Sequence, residues 1–133
     1  MNEIKFTISL PPVTKKNSSR IYKNKKTGKS FVAPSEAFKN YQEACGYLIP
    51  YKCLDISSKV NVKAVYYMPT KRRVDITNLH SALHDILTHY NVIADDNMKI
   101  VVSTDGSRVL YDKQNPRTEV TITETDELTG FED

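Results

Sequence analysis

Asp75, Asp85, Asp95 and Asp96 are the residues whose type and spacing point most directly to chemistry. A hard divalent cation takes a few carboxylate oxygens and keeps several waters, which leaves room for a phosphate. One or two such ions activate an attacking water and stabilise the charge on a scissile phosphate and its leaving oxygen. The same aspartates also suit structural work, with Asp75 as a helix cap and Asp95-Asp96 as a turn. His80 and His84 stand four apart, as zinc ligands on a helix do, but Ser81 occupies the place of the glutamate in the metalloprotease pattern. A solvated helix edge is the plainer reading of that pair. Thr77 and Ser81 lack a neighbouring base or oxyanion motif, so a hydroxyl nucleophile has no support.

A second feature is basic. Residues 15–29 carry Lys15, Lys16, Arg20, Lys23, Lys25, Lys26 and Lys29 without one acid, and Lys71, Arg72 and Arg73 follow as a triplet. The net charge of +3 hides fifteen Lys/Arg against four Asp/Glu in residues 1–73, and four against twelve in residues 74–133. Such a chain offers a polyanion surface and, separately, a store of carboxylates. Lysines and arginines in these two segments can neutralise several phosphates, and Tyr22 and Phe31 are available for stacking. A flexible, solvated loop is the alternative.

The elements that must position these residues follow from periodicity. Ile4, Phe6, Ile8 and Leu10 alternate with polar neighbours as in a half-buried strand, ended by Pro11-Pro12. Residues 15–29 read as a polar loop with a turn at residues 24–28. Ser35 is placed to cap a helix with Phe38, Tyr41, Cys45 and Leu48 along one stripe. Val60, Val62, Ala64 and Tyr66 mark a strand, closed by Pro69. A second helix begins near Thr77, and Leu79, Ala82, Leu83, Ile86, Leu87 and Tyr90 recur at helical spacing. Its opposite face carries Thr77, Asn78, Ser81, His84, Asp85 and Thr88. Residues 99–104 and 107–111 flank Asp105-Gly106 as a hairpin would. Residues 118–123 form a last strand, and the acidic tail beyond it is expected to fray. This order predicts an α+β single domain, a mixed β-sheet with two helices packed on one face, spanning residues 1–124 with a tail at 125–133.

At 133 residues the chain has room for one core, burying roughly two-thirds of the unfolded surface. Cys45 and Cys53 lack metal-ligand spacing and read as reduced thiols of a cytoplasmic protein. The N-terminal residues do not form a leader, and no run of 18 apolar residues occurs, so export and membrane association are not expected.

The residues then resemble a known family, the RusA endodeoxyribonucleases of bacteria and their phages. The resemblance rests on Lys71-Arg72-Arg73-Val74-Asp75-Ile76-Thr77-Asn78-Leu79, on Asp85-Ile86-Leu87, and on Asn91-Val92-Ile93-Ala94-Asp95-Asp96. The opening residues 11–18, Pro-Pro-Val-Thr-Lys-Lys-Asn-Ser, look like those of phage members. The resemblance implies a homodimeric Holliday-junction resolvase making paired nicks in four-way DNA with Mg2+, for which Mn2+ is a substitute. It also implies a setting in recombination and repair of phage or prophage DNA. By position, Asp75 and Asp96 match catalytic carboxylates that hold the metal. Asp95 is a further metal ligand and Asp85 a supporting acid. Lys15, Lys16, Arg20, Lys23, Lys71, Arg72 and Arg73 form the expected DNA clamp.

Two positions depart from the family pattern: Thr77 stands where an aspartate belongs, and Ser81 where a lysine does. Asp85, one helical turn from Ser81, or Asp95 can take over as the carboxylate. Lys99 is a candidate for the missing lysine. The rival reading is a junction-binding protein with weakened or lost catalysis. A third, a basic RNA-binding or partner-binding module, shows no preference for four-way junctions.

Overall fold

The computed structural model describes residues 3–15, 19–23, 25–34 and 36–132. The alternating segments become β1 (Glu3–Ile8), β4 (Val60–Met68) and β7 (Arg117–Glu124), all antiparallel with β7 in the middle. Their register lines up Ile4 with Ile122 and Val62, Phe6 with Val120 and Ala64, and Ile8 with Thr118 and Tyr66. Every one of these residues is buried. Strand alternation thus makes one apolar sheet face. It is covered by α1 (Glu36–Leu48), through Phe38 and Cys45, and α2 (Ile76–His89), through Leu79, Ala82, Leu83, Ile86 and Leu87, in one core. The molecule is a single α+β domain with a mixed five-stranded sheet and two helices, as the periodicity predicts.

The stripe of α1 runs out differently from expectation. Leu48 is 37% exposed and Ile49, four residues after Cys45, takes its place in the core at 1%. The expected cap Ser35 lies outside the described residues. The basic segment is not simply a loop. It holds β2 (Ser19–Lys23), which pairs antiparallel with β3 (Ser30–Pro34) just beyond it as a sheet of their own around a turn at residues 25–27. The lysine density hides β-forming pairs, Ile21-Tyr22 and Phe31-Val32, that sit opposite one another in the register.

The Asp105-Gly106 hairpin does not form. β5 (Val101–Ser103) and β6 (Arg108–Tyr111) both run parallel to β4 along its free edge, one beyond the other. Val101 opposes Val60 and Arg108 opposes Val65, so two extra residues bulge out between them. Gly106 accommodates the bulge at φ +86, where an added β-carbon would lie 3.1 Å from the Lys63 side chain. The side chain of Asn61 stitches it. Its Oδ1 accepts from Ser103 Oγ (2.6 Å) and Asp105 N (2.7 Å), and its Nδ2 donates to Asp105 O (3.1 Å). Asn61→Ala is therefore expected to cost about 2 kcal/mol in urea unfolding, and an unchanged midpoint would contradict this role for Asn61.

The acidic tail does not fray either. Lys59 Nζ donates to Glu132 Oε2 (2.6 Å) and to Glu127 O (2.7 Å), while Glu132 also accepts from the backbone of Thr129 and Gly130. This folds residues 125–132 back to the start of β4.

Candidate active site

Asp75 immediately precedes α2 with extended backbone, φ −92 and ψ 130. Its carbonyl accepts from Asn78 N (3.1 Å) and Leu79 N (3.2 Å), which opens the helix. The carboxylate makes no capping bond to the backbone; its contact is with Asn78 Nδ2 at 3.5 Å. The capping alternative is thus not taken, and an exposed carboxylate stands at the positive end of the helix.

Immediately upstream, the turn after β4 presents Arg72 and Arg73. Together with Val13, Thr14, Met68 and Val74 they line an open cleft of about 670 Å³. Lys71 turns away, its Nζ 5.1 Å from the centre of the Tyr111 ring. Lys15 leaves the opposite wall and forms an ion pair with Asp85 on α2, joining residues 70 apart in sequence. Among the other clamp residues, Arg20 and Lys23 are carried by β2, and Lys16 lies outside the described residues.

Asp95 and Asp96 are delivered by a laddered segment beyond α2. Asn91 turns at φ 53, then Val92 and Ile93 are fully buried. The loop before β4 pairs alongside: Cys53 N donates to Tyr90 O (3.0 Å), Asp55 N to Asn91 O (2.7 Å), Ile56 N to Val92 O (3.1 Å), and Ala94 N returns to Ile56 O (2.8 Å). Cys53 (φ 64) and Asp55 (φ 53) are left-handed as well. Three left-handed residues without glycine make a costly arrangement, which the ladder holds in place.

The two aspartates differ in state. Asp95 accepts from Asp96 N (2.7 Å) and Asn97 Nδ2 (3.1 Å), and these bonds hold its carboxyl below the usual range. Asp96 is pushed upward, first by partial desolvation, then by its bond with Asp95 and by the charges of Asp85 and Asp95. The turn reading thus describes Asp95, whereas at Asp96 desolvation, the bond with Asp95 and the neighbouring charges outweigh a backbone hydrogen bond that favours its ionised form. Asp85, Asp95 and Asp96 form one electrostatic group. Asp75 begins the same helix, ten residues before Asp85 and so about 15 Å from it along the axis.

Among the described residues no three His, Cys, Asp or Glu side chains close into a metal cage. The donor set nevertheless suits a hard cation: crowded carboxylates, one with a raised pKa, are relieved by a divalent charge, and such an ion retains much of its water. Thr77 and Ser81 are exposed on the polar face of α2. Lys99, the candidate for the missing lysine, lines a separate cleft with Lys59 and the C-terminal tail.

His80 and His84 are not a solvated edge. The Tyr66 hydroxyl reaches into the helix layer and shares a hydrogen bond with His80 Nδ1 (2.7 Å), and the His80 ring stacks on His84 at 5.5 Å and 7°. Burial pulls both histidines below the ordinary imidazole pKa, His84 adding to the effect on His80 and Asp85 opposing it at His84. Because the unfolded chain binds protons that the folded chain excludes, stability is full above about pH 6.5 and falls as pH drops toward the lowered folded values. His80→Leu strands the Tyr66 hydroxyl and is expected to cost about 2 kcal/mol at pH 7.5. The wild-type and variant urea midpoints should converge as the pH is lowered to 5; a gap that stays constant would count against a neutral, buried His80.

A basic cleft whose wall runs into Asp75, with further aspartates on and beyond α2, is the equipment of proteins that handle phosphodiesters. The family model described as Endodeoxyribonuclease RusA matches residues 9–123, and the chain belongs to that family. No curated protein matches it. Among the described residues no helix is long and apolar enough to cross a membrane.

Proposed function

We propose that the chain is a structure-selective endonuclease that resolves four-way DNA junctions by metal-assisted phosphodiester hydrolysis. The observation that carries this reading is the adjacency of Arg72 and Arg73, on the wall of the cleft, to Asp75, whose carboxylate caps no helix. Family membership supplies the branched-DNA substrate. Arg72 and Arg73 would grip phosphates bidentately and set the strand against the N-terminal end of α2. Asp96 and Asp95, with Asp75, would hold Mg2+ or Mn2+, and Asp85 supports them. When bound, the ion supplies an activated water and charge neutralisation at the phosphate. A homodimer acting in the cytoplasm would present two such sites to a two-fold junction, in recombination and repair of phage or prophage DNA.

The second reading, junction binding without cleavage, is favoured by Thr77 and Ser81 and by the engagement of Asp85 with Lys15 and of Asp95 in turn bonds. The test is a labelled synthetic junction and a matched linear duplex, each incubated with Mg2+, Mn2+ or chelator. Metal-dependent paired nicks in the junction alone are expected. Tight junction binding without nicks under either metal would establish the second reading, and equal treatment of junction and duplex would remove both.

A further inference from the structure

The cleft that Lys99 shares with the C-terminal tail encloses about 460 Å³; Lys59 and Lys99 line it from the body of the domain, Asp126 and Glu132 from the tail. The anion seated there is the Glu132 carboxylate, which accepts from Lys59 Nζ (2.6 Å), Thr129 N (3.0 Å), Thr129 Oγ1 (3.1 Å) and Gly130 N (2.9 Å). Of these donors only Lys59 belongs to the domain body, and the rest travel with the tail. The tail itself is lightly attached. Residues 125–132 carry three acids and no base, and Leu128 and Phe131 stay 81% and 60% exposed, so little apolar burial holds them. A partly exposed ion pair is a weak tie, and a polyanion competes for the same ammonium.

The cleft adjoins the Asp95–Asp96 loop. Ile56 bridges Ile93 in parallel and its carbonyl accepts from Ala94 N (2.8 Å), so the chain enters Ser57–Lys59 beside the approach to Asp95. Val60 N donates to Ile100 O (2.8 Å), which brings the Lys59 and Lys99 backbones alongside each other. Lys99 follows Asp96 by three residues, at most about 11 Å of extended chain. A DNA strand carries a phosphate roughly every 3.4 Å of helix axis, so a strand seated at Asp96 has further phosphates within that reach. We infer that Lys59, with Lys99 beside it, is a phosphate-contact site for the DNA strand that passes the Asp95–Asp96 loop, and that the tail holds this site through Glu132 until DNA takes its place. The inference rests on the proposed nuclease reading and adds to it a contact on the strand's path and a competitor built into the chain.

Such an exchange has a signature in salt. Each phosphate that a lysine neutralises releases a cation from the DNA and steepens the log–log salt dependence by about 0.9. In the wild type the displaced Glu132 carboxylate takes a cation up again, which cancels that release. Glu132→Gln keeps the side chain's shape and removes its charge, so junction affinity in about 0.1 M salt should rise about fivefold and the slope should steepen by about 1. Adding Lys59→Met should return both to their wild-type values. Glu127→Gln removes the same charge from the tail, but Glu127 meets Lys59 through its backbone carbonyl, so affinity should change less than about twofold.

The experiment measures binding of a labelled four-way junction and a matched duplex to the full chain and to Glu132→Gln, Glu132→Gln with Lys59→Met, and Glu127→Gln. Binding is read in chelator at several salt concentrations, with thermal melting of each preparation. Tighter and more salt-sensitive binding by Glu132→Gln, abolished by Lys59→Met, supports the inference on either DNA. It does so even if the wild type cuts nothing with metal, an outcome that would sink the nuclease reading alone. Unchanged or weaker binding by Glu132→Gln overturns the inference and leaves the tail a structural clasp, whose loss shows in melting; cleavage by the wild type would survive that result. A gain that persists without Lys59, or that Glu127→Gln reproduces, overturns it as an effect of overall charge. No binding of either DNA by any of the four proteins removes both ideas.

Discussion

Asp96→Asn is expected to lower metal-dependent junction nicking about 10³-fold, a loss of roughly 4 kcal/mol of transition-state stabilisation, while the protein melts at the same temperature or higher. The two halves of this result have one cause. The Asp96 carboxyl has its pKa raised by partial desolvation and by Asp95 and Asp85, so its ionised form is disfavoured in the folded state relative to the unfolded chain. For a raised carboxyl, stability is full at low pH and is lost as pH rises through the folded value; Asp96 is exposed, so solvent screens the effect and asparagine removes at most a small cost at neutral pH. Single-turnover nicking and thermal melting of the same preparation check both halves; a variant that melts lower while cutting normally would reverse the assignment.

Replacing both Arg72 and Arg73 by alanine should weaken junction binding by one to two orders of magnitude and reduce the log–log salt slope by about 2, one unit for each lost phosphate contact. The expectation follows from their position. They line the cleft, whereas the neighbouring Lys71 lies over the Tyr111 ring and should matter less. Binding curves at several salt concentrations, in chelator so that cutting does not interfere, give both quantities. Equal effects from Lys71→Ala and from the arginine pair would mean that the cleft does not select among the basic residues.

Much of the scaffold was legible in the sequence because it depends on local periodicity. Leu79, Ala82, Leu83, Ile86 and Leu87 are all buried where a 3.6-residue period puts them, and the alternations in β1, β4 and β7 face one core. What was not legible depends on distant partners. Asp105-Gly106 carries a strong local hairpin signal, but both flanking strands pair with the free edge of β4, and the Asn61 side chain, more than forty residues upstream, holds the turn between them. His80 looked like a helix edge because its partner, Tyr66, comes from the sheet below.

The site divides in the same way. That four aspartates surround α2 is a matter of spacing, but which are engaged is not. Asp75 declines its cap, Asp95 accepts the turn bonds and Asp85 takes Lys15, and no sequence pattern distinguishes these fates. The ion pair of Lys15 and Asp85 spans 70 residues and has no local marker.

The place of β7 between β1 and β4 governs how the chain can fold during synthesis. β1 is bonded to β7, with Glu3 facing Thr123 although the two are 120 residues apart, and β4 also has β7 as its main partner. Until residues 117–124 leave the ribosome, β1 has no strand partner among the described residues, and the apolar sides of β1 and β4 cannot be joined into a sheet. The sheet beneath the carboxylates therefore closes only once residues 117–124 are available, and the high sequence separation of these pairings puts folding among the slower small domains.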